Sequence, residues 1–429
     1  MNRLDRRHFL SLCAAAAVPS ASVSSVGAMR QQSAAASFPA LRQRIAGQPL
    51  TYLDSAATTL RPQAVIDVLS EFYATDNANP APVHTLARRA ASRLTAARQT
   101  VARFINAPSP SEVIFTRGST EGINLIASMW GAANLGAGDE VILTVAEHNS
   151  NLLPWTRAAK QAGAIVRVVD VDDEGCLRID QLKQLISAKT RLIAFSHVSN
   201  VLGLVNPAKE ICALARLAGA RVVIDGAQSV PHVSVDVQDL GCDFCVFSGH
   251  KTLGPMATGV VWGRLELLDA MPAYHVGSNM AHEADFERAT MEHGALKFQA
   301  GTPDVAGPIG LAAAIDFLTA IGRDATWRHD QDLVGHGLAR LRAVKGLRII
   351  GPTSPQNRVP VFTFVIEGKS PLAIAAAMDS KGIAIRAGDM AALPLLKRFG
   401  VTEASRASAY VYSSRTDIDR LADALAAPF

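Results

Sequence analysis

The sequence predicts an α/β fold: a large domain with a mostly parallel sheet flanked by helices, then a smaller C-terminal α+β domain. Three observations carry this. Short β-branched or apolar runs alternate with helical patterns over the first two-thirds of the chain, as in sheets covered on both faces. Two such runs end in polar turns, Asp225-Gly226-Ala227-Gln228 and Ser248-Gly249-His250-Lys251. After Gly307 the pattern changes to two helices followed by strands.

Taken in order, residues 1–28 carry Asp5-Arg6-Arg7-His8-Phe9-Leu10, an alanine-rich run to Val18 and the small residues Val26-Gly27-Ala28. These features resemble a twin-arginine export signal. They predict a periplasmic or otherwise exported protein, or a cytoplasmic one if the signal is not used. Residues 29–50, rich in Ala, Ser and Gln, read as a flexible leader. Residues 51–306 form the predicted large domain. Its helices include Leu86 to Ile105, Thr120 to Trp130 and Pro207 to Ala218. Its strands include Val113–Thr116, Val141–Val145, Ile165–Val169, Leu192–Phe195 and Val222–Ile224. Residues 307–429 form the small domain. Its helices are predicted near Pro308–Ala320, Ala325–Val344, Pro371–Ser380 and Asp417–Ala426. Its strands are predicted near Leu347–Ile350, Val361–Ile366 and Ile383–Arg386.

Composition excludes several classes. Apolar residues make up 49% and charged residues 19%, a well-cored globular chain. The net charge of +4 does not call for nucleic acid as a partner. No apolar run after the signal is long enough to span a bilayer. The five cysteines form no disulfide framework. Cys242 and Cys245 have redox or zinc spacing. They fall in an apparent strand, however, where residues three apart face opposite sides, so core thiols are expected. His275, His282 and His293 match no common metal-ligand spacing, and no metal is expected.

The two polar turns carry the chemistry. A lysine beyond one strand and an acid at the end of another suit pyridoxal phosphate. The amine of Lys251 forms a Schiff base, and the Asp225 carboxylate keeps the pyridine nitrogen protonated. Arg117-Gly118-Ser119-Thr120 lies between a strand and a helix, where hydroxyls and helical amides hold phosphate. Ser248 and His250 are further candidates for phosphate. His148 follows another strand and can stack on the ring, Gln228 can reach the ring oxygen, and Asn200 is a further polar residue at a strand end. Arg386 and Arg406 are candidates for a substrate carboxylate.

On Tyr52 to Ala57, His84-Thr85-Leu86, Arg117 to Asn124, Glu147-His148, His197 to Gly203, Asp225 to Gln228, Phe247 to Lys251, Phe298 to Pro303 and Arg406 to Ser408, the chain resembles the class V aminotransferase family. Within it, the likeness is to the Suf-type cysteine desulfurase and selenocysteine lyase branch. The resemblance implies a fold-type I pyridoxal-phosphate enzyme with a seven-stranded-type sheet, and segment 51–85 packed on the small domain. It implies Lys251, His148 and Asp225 as catalytic residues. Ser119, Thr120, His148, Asn200, Asp225, Gln228, Ser248, His250 and Lys251 would bind the cofactor. Thr302 would reach the phosphate of a neighbouring subunit in a homodimer. Arg406, Arg386 and His84 would bind a small amino-acid substrate, which reacts through an external aldimine and an α-carbanion.

The substrate side departs from the family. Gly388-Asp389-Met390-Ala391 stands where the family has Gly-His-His-Cys, so Ala391 replaces the persulfide cysteine. Asn149 stands where a second histidine is usual. The expected function is therefore a cysteine desulfurase-like enzyme acting as a C–S lyase, epimerase or aminotransferase. The alternatives are a genuine desulfurase or selenocysteine lyase using a cysteine from elsewhere, such as Cys176, and a non-catalytic pyridoxal-phosphate-binding protein.

Overall fold

The computed structural model describes residues 34–428. The twin-arginine segment, residues 1–28, lies outside them. Seven strands form the central sheet: β1 (Val113–Thr116), β2 (Glu140–Thr144), β3 (Ile165–Val169), β4 (Thr190–Ser196), β5 (Arg221–Asp225), β6 (Phe244–Ser248) and β7 (Gly259–Gly263). Their order is β1-β7-β6-β5-β4-β2-β3. The five strands from β6 to β3 run parallel, and β7 runs antiparallel to both of its neighbours. β2, β6 and β7 are buried along their whole length. This explains their uninterrupted apolar runs, since a strand covered on both faces has no solvent side. β3 is the edge strand, and Ile165 and Val168 are exposed there.

The parallel arrangement brings the carboxyl ends of β2, β4, β5 and β6 to one edge, where ligands collect in open α/β sheets. The helices Ser119–Asn134, Asn149–Ala162 and Ala208–Leu217 return the chain between strands. Two close approaches fix this edge. A Cβ on Gly259 would lie 2.4 Å from Cα of Gly118, and one on Gly122 would lie 2.6 Å from both Val246 and Val261. The turn that carries Ser119 is thus pressed against β7 with no room for a side chain.

The second lobe holds a four-stranded antiparallel sheet: β8 (Leu347–Ile349), β9 (Val361–Ile366), β10 (Arg386–Gly388) and β11 (Ala404–Ser408), in the order β8-β9-β11-β10. Helices Arg323–Arg342, Pro371–Asp379 and Arg415–Ala426 cover it and share one core with Leu53. The strand expected at Ile383–Arg386 divides in two. Ile383–Ala384 leaves the sheet and pairs in parallel with Thr51–Tyr52, while Arg386 begins β10. Segment 51–57 is thereby stitched to the small lobe: Ser55 N–H donates to Ser408 O (3.1 Å) and Ser408 N–H to Leu53 O (2.7 Å). Helix Ala306–Ile321 stands between two cores. It packs on helices Gln63–Thr75 and Thr85–Phe104, while Leu311 and Ile315 join the core of the large sheet.

Two expectations need correction. Within the leader predicted at 29–50, the residues around Phe38 are packed on the protein, while most of 42–49 is exposed. Phe38 is fully buried, with its ring 4.7 Å from that of Tyr412 and 5.7 Å from that of Phe317. One aromatic anchor holds a segment whose composition otherwise reads as linker. Cys242 and Cys245 do not lie on opposite faces of one strand, because β6 begins at Phe244 and Cys242 sits in the turn before it. Both thiols are fully buried in the same core cluster, which bears out the reading as core thiols.

The contact at Gly118 gives a direct expectation. Gly259→Ala should destabilise the fold by about 1–3 kcal/mol, the usual cost of forcing a methyl into a filled site. Denaturant unfolding of the variant against the wild type measures it, and an unchanged midpoint would contradict the close approach.

Candidate active site

One cavity of about 450 Å³ lies at the carboxyl edge of the sheet and is closed on its far side by β10 and β11. Ser119, Thr120, His148, Asn200, Asp225, Gln228, Ser248, His250, Lys251, Arg386 and Arg406 all line it. His84 and Thr302 do not. His84 is exposed at the start of helix Thr85–Phe104, outside this chain's cavity, where its Nδ1 accepts from Ala87 N–H (3.3 Å). Thr302 is also exposed and away from the cavity.

The cavity has two chemically distinct ends. At one, hydroxyls converge where two helices begin. Ser119 N–H donates to Ser248 Oγ (2.8 Å), which donates to Ser119 Oγ (3.0 Å). Thr120 Oγ1 lies 2.7 Å from Ser150 Oγ. Backbone N–H groups at two helix N-termini, with four hydroxyls, suit a phosphate. Ser150 was missed in the sequence. Its signal was its place two residues beyond His148, at the first turn of a helix.

At the floor, Asp225 ends β5 and is buried, accepting from Ala227 N–H (2.9 Å). Burial pushes its carboxyl above the usual range, and the Ala227 N–H and the charge of Lys251 oppose this. Burial pulls the Lys251 amine down to about 8, with Asp225 opposing and Arg406 adding to the shift. The two groups thus act on each other across one cavity. His148 caps helix Asn149–Ala162, its Nδ1 accepting from Ser150 N–H (3.0 Å). Burial, aided by Lys251 and Arg406, pulls its imidazole down to about 4. The ring is therefore neutral near pH 7 with its proton on Nε2. His250 is likewise lowered to about 4, chiefly by burial. Gln228 Nε2 donates to Ala56 O (2.7 Å), tying the stitched segment 51–57 to the cavity floor.

Behind this wall lies a buried acid that sequence reasoning did not single out. The Glu147 carboxylate accepts from Thr144 Oγ1 (2.5 Å), Asn151 Nδ2 (2.7 Å), Ser196 Oγ (2.8 Å) and Ser196 N–H (3.2 Å). Burial pushes it up to about 7 against three of these hydrogen-bonding side chains. Ser196 is itself cavity-lining and stands beside Asp225 in the β4–β5 register.

The mouth is formed by Ala387 to Ala391. Asn200 Nδ2 donates to Met390 O (2.9 Å) and Asn149 N–H to Ala391 O (2.7 Å), which pins the loop. Met390 and Ala391 both adopt positive φ, 52° and 51°. Asp389 lines the mouth, its Oδ1 accepting from Ala391 N–H (2.9 Å). Among the described residues no cysteine lines the cavity. Cys212, Cys242 and Cys245 are in the core and Cys176 is exposed elsewhere, its thiol pushed up by burial, Asp172 and Glu174. No group of three His, Cys, Asp or Glu side chains among the described residues could hold a metal ion.

This donor set fits pyridoxal phosphate: a hydroxyl-rich anion end, a buried acid, an amine with lowered proton affinity and a neutral histidine. Comparison with known proteins agrees. The Aminotransferase class-V family matches residues 51–421. A cysteine desulfurase of Synechococcus elongatus is 45% identical over 389 residues, covering 90% of this chain. The match spans only 62% of that relative's own length. A cysteine desulfurase of Klebsiella pneumoniae is 43% identical over 388 residues, 90% of this chain and 95% of that one. The crystal structure of the cysteine desulfurase CsdA from Escherichia coli superposes with a TM-score of 0.85 at 37% identity, covering 92% of this chain and 97% of that one. The chain belongs to the class-V aminotransferase family of pyridoxal-phosphate-dependent enzymes.

Proposed function

We propose that this chain cleaves the C–S bond of a cysteine-like amino acid with pyridoxal phosphate. The observation that carries the reading is the Lys251–Asp225 pair in one cavity, with Arg406 and Arg386 on the opposite wall. Lys251 would carry the cofactor, Asp225 its ring nitrogen, Gln228 its ring oxygen and His148 its face. Ser119, Thr120, Ser150, Ser248 and His250 would hold its phosphate, and Asn200 the wall beside it. The bound cofactor supplies an electron sink for the substrate α-carbon.

The protein's own groups do the rest. Arg406 and Arg386 orient the carboxylate, which places the α-carbon within reach of the amine. Lys251 Nζ, freed when the substrate amine takes its place, would take the α-proton, burial having lowered its proton affinity. Neutral His148, whose Nδ1 accepts from Ser150 N–H, keeps its Nε2–H as a hydrogen-bond donor in the same cavity. Epimerisation and transamination begin with the same proton removal. The relatives' names, cysteine desulfurase, favour sulfur release instead.

One observation favours a second outcome within that reaction. Ala391 sits at the mouth and no described cysteine lines the cavity, so the sulfur leaves to an acceptor from outside it. A thiol acceptor yields alanine and a persulfide. Elimination yields pyruvate, ammonia and sulfide. Thr302, exposed and not among the residues lining its own cavity, is free to serve a neighbouring site, and a homodimer with shared sites is part of this proposal. Export by the twin-arginine route is part of this proposal on the strength of residues 1–28.

Three outcomes are expected. With L-cysteine, the holoenzyme should release sulfide together with alanine when a dithiol is supplied, or together with pyruvate without one. Mass spectrometry identifies the products, and absence of both would end the C–S cleavage reading. Lys251→Ala protein given pyridoxal phosphate and then desalted should lack the imine absorption of the wild type, and borohydride should fix no cofactor in its cavity. Cofactor capture by the apoprotein needs the unprotonated amine. Because burial lowers Lys251 to about 8, the capture rate should rise with pH and level off above that value. A rate still climbing up to the ordinary lysine range in a stopped-flow series would contradict the lowering.

A further inference from the structure

The two arginines of the cavity share a partner that is not itself on its wall. Arg386 forks onto Asp54, with Nη2 2.6 Å from Oδ2 and Nε 3.3 Å from Oδ1. Arg406 Nη2 lies 3.6 Å from the same Oδ1. Arg406 is buried. Its Nη1 donates to Asn200 O (3.0 Å), and its buried Nε has no hydrogen-bond partner. The Arg386 side chain is about half exposed, so without the fork it would sample many rotamers. Asp54 is held rigidly relative to Arg406: Asp54 bridges to Ser408, two residues along β11, and Ala56 N–H donates to Ser408 Oγ (2.9 Å).

We propose that Asp54 is a positioning residue that sets the guanidiniums of Arg386 and Arg406 to receive a single carboxylate. The fork occupies Nε and Nη2 of Arg386 and leaves its Nη1 outside the fork, while Arg406, held by Asn200 O and Asp54, presents its guanidinium on the same cavity wall. One acid between two arginines leaves one net positive charge, matched to one anionic group. Tying down the flexible arginine beforehand removes rotamer loss from the binding step. Burial draws Arg406 down to about 10 and Asp54 opposes this, which keeps the guanidinium charged at neutral pH. The inference rests on the amino-acid reading above and identifies how its carboxylate end is recognised.

The test is calorimetric titration of the holoenzyme with L-alanine and with L-alaninamide, which lacks the carboxylate. The wild type should prefer L-alanine. Asp54→Asn, nearly the same size, should lose roughly tenfold or more in L-alanine affinity, the scale of one charge-assisted contact. Its affinity for the amide should stay nearly unchanged. Equal losses for both ligands, or no loss, would overturn the proposal. Arg386→Lys keeps the charge at a half-exposed site but cannot fork, so it should show the same selective loss if Asp54→Asn fails to fold. Combining the two should cost less than the sum, and additive losses would also overturn the proposal. A wild type with no preference for L-alanine would instead refute the amino-acid reading, and this inference with it.

Discussion

An amine and a carboxylate enclosed in one low-dielectric cavity are the constraint on which the rest of this structure depends. Burial alone favours the neutral form of each, and each opposes that tendency in the other. Such a pair is stable only where the backbone fixes both groups. Here β5 and β6 are adjacent and parallel, with Asp225 beside Val246 in register and Lys251 just beyond the end of β6. The sheet is thus the device that holds two mutually dependent charges at a set separation.

The other wall comes from segments distant in sequence. Residues 51–57 add a strand to Ile383–Ala384, bridge to Ser408 and receive the Gln228 amide at Ala56 O. One short stretch therefore touches the small lobe, both arginines and the floor. A second tie crosses the lobes behind the site. His232 Nδ1 lies 2.8 Å from Asp330 Oδ2, both buried, and Tyr410 Oη donates to Pro231 O (2.9 Å). A buried pair of this kind is costly to break on one side, so it favours a fixed relation between the lobes.

Glu147 shows how the edge is made rigid. Its two oxygens accept from two strand ends and one helix, and Asn151 passes the network on to Trp155 Nε1 (3.0 Å). The next residue, His148, is thereby fixed in a turn whose own N–H donors set its tautomer. The neutrality of the histidine follows from enclosure beside two cations, a property of the assembled cavity.

Sequence by itself determined the large sheet and the cofactor side of the site. Strands buried on both faces leave uninterrupted apolar runs, and the residues that end them lie at one edge in any parallel sheet. Lys251, Asp225, His148, Ser119 and Ser248 were legible for that reason. Tertiary structure alone decided what depends on pairing between remote segments. The burial of Phe38, the division of the strand at residues 383–386, the Asp54 fork and the turn at Cys242 have no local periodic signature. The same holds for the place of His84 at a helix start outside its own chain's cavity. Periodicity records which face of an element is buried. It carries no record of which distant element does the burying.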